Sequence, residues 1–276
     1  MFGIPVGELA WLAGVIVIGG IITGVLAGLF GVGGGAIIVP VLYEVFRVLG
    51  VAEEIRMQVC IGTSLAIIVP TTLRSYLYHR TTGAVIPGIL RLWTVPAVLG
   101  VAIGAAIASF AHAMVFKIAF MVIATVIAIK LLFGTDAWRI ASELPGHIAM
   151  SIYGFVVGVC SSLMGVSAGS VANMILTLYG KPLHRAVATS AGLGVPITIA
   201  GTIGYMLAGL PRQALTPPFS IGFVSLIGLV LMAPISSFVA PYGARLAHAL
   251  ARKQLEIAFG VFLLLIVVRF AVSLIW

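Results

Sequence analysis

Four glycines in five positions, Gly31, Gly33, Gly34 and Gly35, followed by Pro40, interrupt a long apolar run near the start of the chain. Glycine in a helix interior costs about 1 kcal/mol relative to alanine, so a cluster of four breaks the helix. Both flanks are hydrocarbon-like, which sets the break at membrane depth. Non-helical backbone is tolerated there only when it is buried in protein or lines a wet cavity. The helix that resumes after the break offers unpaired N–H groups and the positive end of its dipole. Anions gather at such ends without a formal cation. The chemistry on offer is therefore anion binding by backbone amides, with Gly33, Gly34 and Gly35 as donors. A second break, Gly165-Val166-Ser167-Ala168-Gly169, offers the amides around Ser167, Gly169 and Ser170, the hydroxyls of Ser167 and Ser170, and the Asn173 side chain one turn on. A lone glycine pair in a membrane helix more often serves close packing; two paired breaks favour the anion reading.

Two hydroxyl pairs accompany the breaks. Thr63-Ser64 precedes Pro70, and Thr189-Ser190 precedes Pro196. Each proline removes a backbone donor and kinks its helix. The hydroxyls can bond carbonyls of the preceding turn, or they can present neutral donors to an oxyanion. Arg74, one turn beyond Pro70, can draw an anion inward or snorkel to the headgroups. Glu44 and Arg47, at i and i+3 on the segment after the first break, read as an interfacial ion pair. The five histidines fall at segment ends without ligand spacing, so no metal and no other cofactor is expected. Cys60 and Cys160 lie in apolar runs and read as small buried hydrophobes. The chain has no H-E-x-x-H, no G-x-S-x-G, no Walker A sequence and no intramembrane Asp pair, so an enzyme is not expected.

The elements that must position these groups follow from composition. Of 276 residues, 62% are hydrophobic and only 8% charged, with a mean hydropathy of +1.25. Soluble domains carry about 25% charged residues, so the chain reads as an all-α polytopic membrane protein. The formal net charge of +8 belongs to Lys and Arg in loops. Nucleic acid is not an expected partner, because no basic run carries interleaved aromatics. The start lacks a basic region, so the first apolar run is read as retained and not as a cleaved signal. Apolar segments recur at 9–30, 35–49, 57–78, 89–110, 115–133, 148–164, 169–179, 186–210, 219–240 and 255–275. A crossing needs about 20 residues. The two short segments, 35–49 and 169–179, each follow a break and read as half-helices.

The short segments occupy corresponding places, and the similarity extends further. Gly31 and Gly165 lie 134 positions apart, Thr63-Ser64 and Thr189-Ser190 126 apart, and Ile118-Ala119-Phe120 and Ile257-Ala258-Phe259 139 apart. The expected organisation is a tandem duplication: a first transmembrane repeat over 1–134, a linker over 135–147 and a second repeat over 148–276. Three or five crossings per half are both odd, so the halves are expected as an inverted repeat of about 8–10 transmembrane segments with paired discontinuous helices. Arg80, Arg91, Arg139, Lys181, Arg185, Arg245, Arg252 and Lys253 then share one side, and Arg47, Arg56, Lys117 and Arg212 the other. The positive-inside rule sets the first group in the cytoplasm and both termini outside. A prokaryotic inner membrane is the simplest home.

With G-x-G-G-G-x4-P at 31–40, Thr63-Ser64 before Pro70 and a duplicated second half, the chain resembles the TauE/SafE sulfite exporter family of membrane permeases, from about residue 9 to residue 276. The resemblance implies transport of small sulfur-containing anions, such as sulfite, sulfoacetate or other organosulfonates, outward across the membrane. The second copy departs from the first, with Ser167 and Ala168 in place of two glycines and no proline matching Pro40, so the halves are not expected to contribute equally. A secondary transporter working by alternating access is expected, driven by a proton or by the membrane potential. An anion leaving a cell negative inside gains about 2.3 kcal/mol per charge per 100 mV. The alternative is an anion channel for small oxyanions. The substrate-binding residues expected are Gly33, Gly34, Gly35, Thr63, Ser64, Arg74, Ser167, Gly169, Ser170, Asn173, Thr189 and Ser190.

Overall fold

In hydrocarbon every backbone N–H and C=O must find its partner within the protein, which leaves long apolar runs no economical form but the helix. The computed structural model describes residues 14, 16–26, 35–81, 83–134, 141, 144–248 and 252–275. Among the described residues ten helices account for the apolar runs: α1 (Ile16–Leu26), α2 (Gly35–Val48), α3 (Glu53–Thr81), α4 (Pro87–Phe110), α5 (Ala113–Phe133), α6 (His147–Met164), α7 (Gly169–Leu178), α8 (Leu183–Gly209), α9 (Leu226–His248) and α10 (Arg252–Ile275). Six of these stretches are long and apolar enough to cross a membrane. The fold is that of an all-α, multi-pass membrane protein, and α2 and α7 are the short helices expected after the glycine breaks.

Local signals explain the boundaries. Glu53 and Glu54 stand in the first turn of α3, and His79 and Arg80 in its last, each complementing the helix dipole. Pro87 opens α4, where its missing N–H would have had no intrahelical partner. Between α8 and α9 lie a 3-10 turn (Leu210–Leu215) and an antiparallel pair of two-residue strands, β1 (Ser220–Ile221) and β2 (Val224–Ser225), with Ser220 opposite Ser225. Exposed apolar stripes at helical spacing, such as Val95, Leu99 and Ile103 on α4 and Val122, Val126 and Ile129 on α5, form lipid-facing surface.

Small residues set how closely the helices approach. A Cβ on Gly154 of α6 would lie 3.0 Å from the Trp93 carbonyl of α4, and one on Gly158 would run into the Ala97 carbonyl. The same arrangement recurs in α1, where Gly20 backs onto Ile235 and Gly24 onto Ser236 of α9. Gly20 and Gly24 stand 134 positions before Gly154 and Gly158, the same offset that separates the breaks.

Matched helices also pack on each other. Along α3 and α8, Gly62 sits beside Tyr205, Leu65 beside Gly201, Thr72 beside Gly194 and Tyr76 beside Gly192, so the two run antiparallel. Thr72 and Thr198, which are 126 positions apart like the hydroxyl pairs, meet with their oxygens 3.3 Å apart. Each also bonds carbonyls three and four residues back on its own helix. The last helices of the halves, α5 and α10, behave alike. Phe120 meets Phe270 edge-on at 5.4 Å between ring centroids, while Leu132 packs against Gly260, and these two helices are antiparallel as well.

Candidate substrate site at the helix breaks

The second break is fully described and is built around one residue with left-handed backbone. Gly165 has φ +67°, a conformation that side-chain-bearing residues rarely adopt, and it ends α6 with its N–H on the Ser161 carbonyl. Val166 N–H bonds the same carbonyl at 3.1 Å. The chain then turns and restarts as α7, whose first intrahelical bond runs from Ala172 N–H to Ala168 O. The amides of Gly169, Ser170 and Val171 therefore open the helix without intrahelical acceptors.

The first half reaches this break directly. Gly35, the first residue of α2, lies so close to it that a Cβ there would come 2.6 Å from Val166 Cα and 2.9 Å from the Gly165 carbonyl. Ser64 of α3 is fully buried and donates to that same carbonyl at 2.7 Å. Its counterpart in α8, Ser190, donates to Asn173 Oδ1 at 2.7 Å, tying α8 to the second turn of α7. Ser167 sits in the break itself, its hydroxyl pressed against Gly194 of α8 beside the Thr72 methyl group. The structure thus brings together Gly35, Ser64, Ser167, Gly169, Ser170, Asn173 and Ser190. Gly33 and Gly34 lie outside the described residues.

The hydroxyls divide into two kinds. Thr63 accepts the N–H of Ser225 at 2.9 Å, just before α9, and Thr189 accepts the N–H of Ile86 at 3.0 Å, just before α4. Each of these matched threonines fastens the entry of a span in the opposite half, and Thr189 also donates to the Arg185 carbonyl at 2.7 Å. By contrast, the Ser170 and Ser161 hydroxyls are buried with no partner among the described residues. Buried polar groups are ordinarily paired, so two unmet hydroxyls beside three open amides mark the second break as a place where an acceptor is missing. Arg74 is exposed and meets no partner among the described residues.

Charges gather at the ends of the short helices. Glu44 of α2 pairs with Arg47 at 2.7 Å, as the i, i+3 spacing foresees, and also with Arg269 of α10 at 2.8 Å. Lys130 of α5, the counterpart of Arg269, donates to Thr177 Oγ1 at 2.8 Å and to the Met174 carbonyl at 3.3 Å, near the negative end of the α7 dipole. Lys117 and Glu53 pair at 2.6 Å, and Lys117 and Arg56 both lie over the Tyr43 ring. Arg56 and Lys117 thereby lie against α2, which carries Arg47 in its own last turn.

Trp93, Ser161, Gly194, Thr72 and Thr198 join this region without having been singled out from the chain. For the two threonines a signal existed: each follows its matched proline by two residues. Trp93 carried none, being one aromatic in an apolar run.

Interrupted helices meeting inside a bundle of membrane-spanning helices, with open amides and unmet hydroxyls at the junction, are features of membrane transporters. The chain belongs to the sulfite exporter TauE/SafE family, whose model matches residues 16–270. It is 28% identical over 251 residues to a probable membrane transporter protein of Haemophilus influenzae, covering 91% of this chain and 94% of that one. It is 27% identical over 273 residues to a probable membrane transporter protein of Methanocaldococcus jannaschii, covering 94% and 97%. A similarly described protein of Bacillus subtilis is 28% identical over 71% of this chain and 78% of its own length. No solved structure matches the chain.

Proposed function

We propose that this protein is a secondary transporter that exports small sulfur-containing anions, such as sulfite, sulfoacetate or other organosulfonates, across a prokaryotic inner membrane. The observation that carries the reading is the second break, where the amides opening α7 and the unmet Ser161 and Ser170 hydroxyls offer donors that no intrahelical or side-chain partner takes among the described residues. A sulfo group presents only acceptor oxygens, so donor-rich backbone suits it without a lysine or arginine in contact. Family membership supports the choice of substrate class. The antiparallel packing of α3 on α8, where the matched Thr72 and Thr198 meet, and of α5 on α10 supports two inverted repeats that rock against each other around this junction.

The experiment is efflux of labelled sulfite and sulfoacetate from proteoliposomes, with and without an imposed potential or pH gradient. Saturable efflux that weakens in Ser170→Ala and Asn173→Ala is expected. No flux of either anion overturns the substrate assignment, and flux rising linearly with concentration assigns an anion channel instead.

A further inference from the structure

A narrow crevice runs beside α7, walled by Ile89, Leu90 and Trp93 of α4, by Ala172 and Leu176 of α7, and by Thr189, Ser190 and Leu193 of α8. Its walls are too close for a water molecule to settle between them. Trp93 is 1% exposed, and its indole Nε1 is buried with no partner among the described residues. An indole nitrogen is a donor only, so what is missing beside it is an acceptor. The neighbouring groups narrow the choice further. Thr189 already uses its proton on the Arg185 carbonyl and a lone pair on Ile86 N–H. Ser190 spends its proton on Asn173 Oδ1, with the Val187 carbonyl also in reach. The Asn173 amide nitrogen, on the far side of that bond, has no acceptor among the described residues. Unmet donors and apolar walls describe a site for a molecule with acceptor oxygens and a short apolar portion.

We propose that the Trp93 indole N–H is a substrate-binding donor, and that the α4–α7–α8 crevice is the closed form of a subsite for the oxygens and short carbon chain of an organosulfonate-type anion. This rests on the transport reading above and sharpens it, since a bare inorganic anion would leave the apolar walls of Ile89, Leu90, Leu176 and Leu193 unused. Occupation requires α4 to part from α7 and α8, a movement that alternating access supplies. The Ser190–Asn173 bond then joins this subsite to the second turn of α7.

The test uses the full-length protein in lipid nanodiscs with [15N]indole-labelled tryptophan. The chain has four tryptophans, and the Trp93 signal is assigned by its loss in Trp93→Phe. If that variant does not fold, assignment is by elimination with Trp11→Phe, Trp138→Phe and Trp276→Phe. Titration with ethanesulfonate is expected to move the Trp93 indole N–H signal downfield and saturably, with a smaller response to sulfite. In proteoliposomes Trp93→Phe is expected to raise the KM for ethanesulfonate efflux about tenfold with the maximal rate retained. A Trp93 signal that stays still at concentrations saturating transport, or an unchanged KM in folded Trp93→Phe, overturns the proposal and leaves the transport reading standing. A signal that moves in a protein that carries no sulfur-containing anion keeps the binding site and overturns the transport reading.

Discussion

At the scale of single residues, the hydroxyls near the breaks divide by what losing them should do. Ser64 holds the buried Gly165 carbonyl, and Ser64→Ala strips that carbonyl of its donor. Leaving a buried group unmet costs about 1–3 kcal/mol, so a lowered melting temperature in detergent is expected. Thr63→Val and Thr189→Val should behave likewise, because each removes the acceptor of an incoming backbone N–H. Ser170→Ala should do the reverse: it deletes an orphaned hydroxyl, so stability should hold or rise while anion efflux falls. Equal destabilisation by Ser170→Ala and Thr63→Val would show that both hydroxyls are structural. The residue types at these positions were readable in the chain, but their partners were not. The groups that claim Thr63, Ser64 and Thr189 come from loops and breaks more than a hundred positions away. Spacing along one helix carries no information about such contacts. Arg74 illustrates the same limit, since a cation one turn past a proline looks the same in sequence whether it is buried or, as here, exposed.

At the scale of helices, glycine spacing wrote the architecture plainly where it broke helices and quietly where it packed them. The short helices α2 and α7 begin within the glycine-rich stretches that foretold them. The packing of α6 on α4 and of α1 on α9 was less legible, because glycines at i and i+4 also occur on lipid-facing surfaces. What distinguishes Gly158 is the carbonyl behind it. Gly158→Val would force α6 away from Ala97, and overpacking of this kind costs about 1–3 kcal/mol or more. Gly88→Ala, at an exposed position of α4 with open space around it, should be neutral or slightly stabilising. Melting temperatures of the two purified variants check this pair, and a Gly158→Val protein as stable as the parent would mean that the helices can slide apart without loss.

At the scale of the whole molecule, the proposed inversion makes a prediction about faces. Gly88 and Ala214 are exposed at opposite ends of the run formed by α3, α4 and α8. Cysteines introduced singly there should be reached by a membrane-impermeant thiol reagent from opposite sides of the bilayer, 88 from the cytoplasm and 214 from outside. Cys60 is buried and Cys160 half-buried, so an alanine replacement at 160 keeps the background low. Labelling of both positions from one side would rule the inversion out. The expectation of a duplication rests on offsets near 130 that recur in order along the chain, whereas the antiparallel seating of α3 on α8 became visible only in space. One contact between the halves reaches further than their relative orientation. Lys130 of the first half grips the end of α7 in the second, and Arg269 of the second grips Glu44 on α2 in the first. The clasps are exchanged. A half made alone would lose the clasp that the other half supplies to its short helix. Two such halves encoded as separate genes would have to find each other in the membrane before either clasp could close, a search that a single fused chain performs once, during its own synthesis.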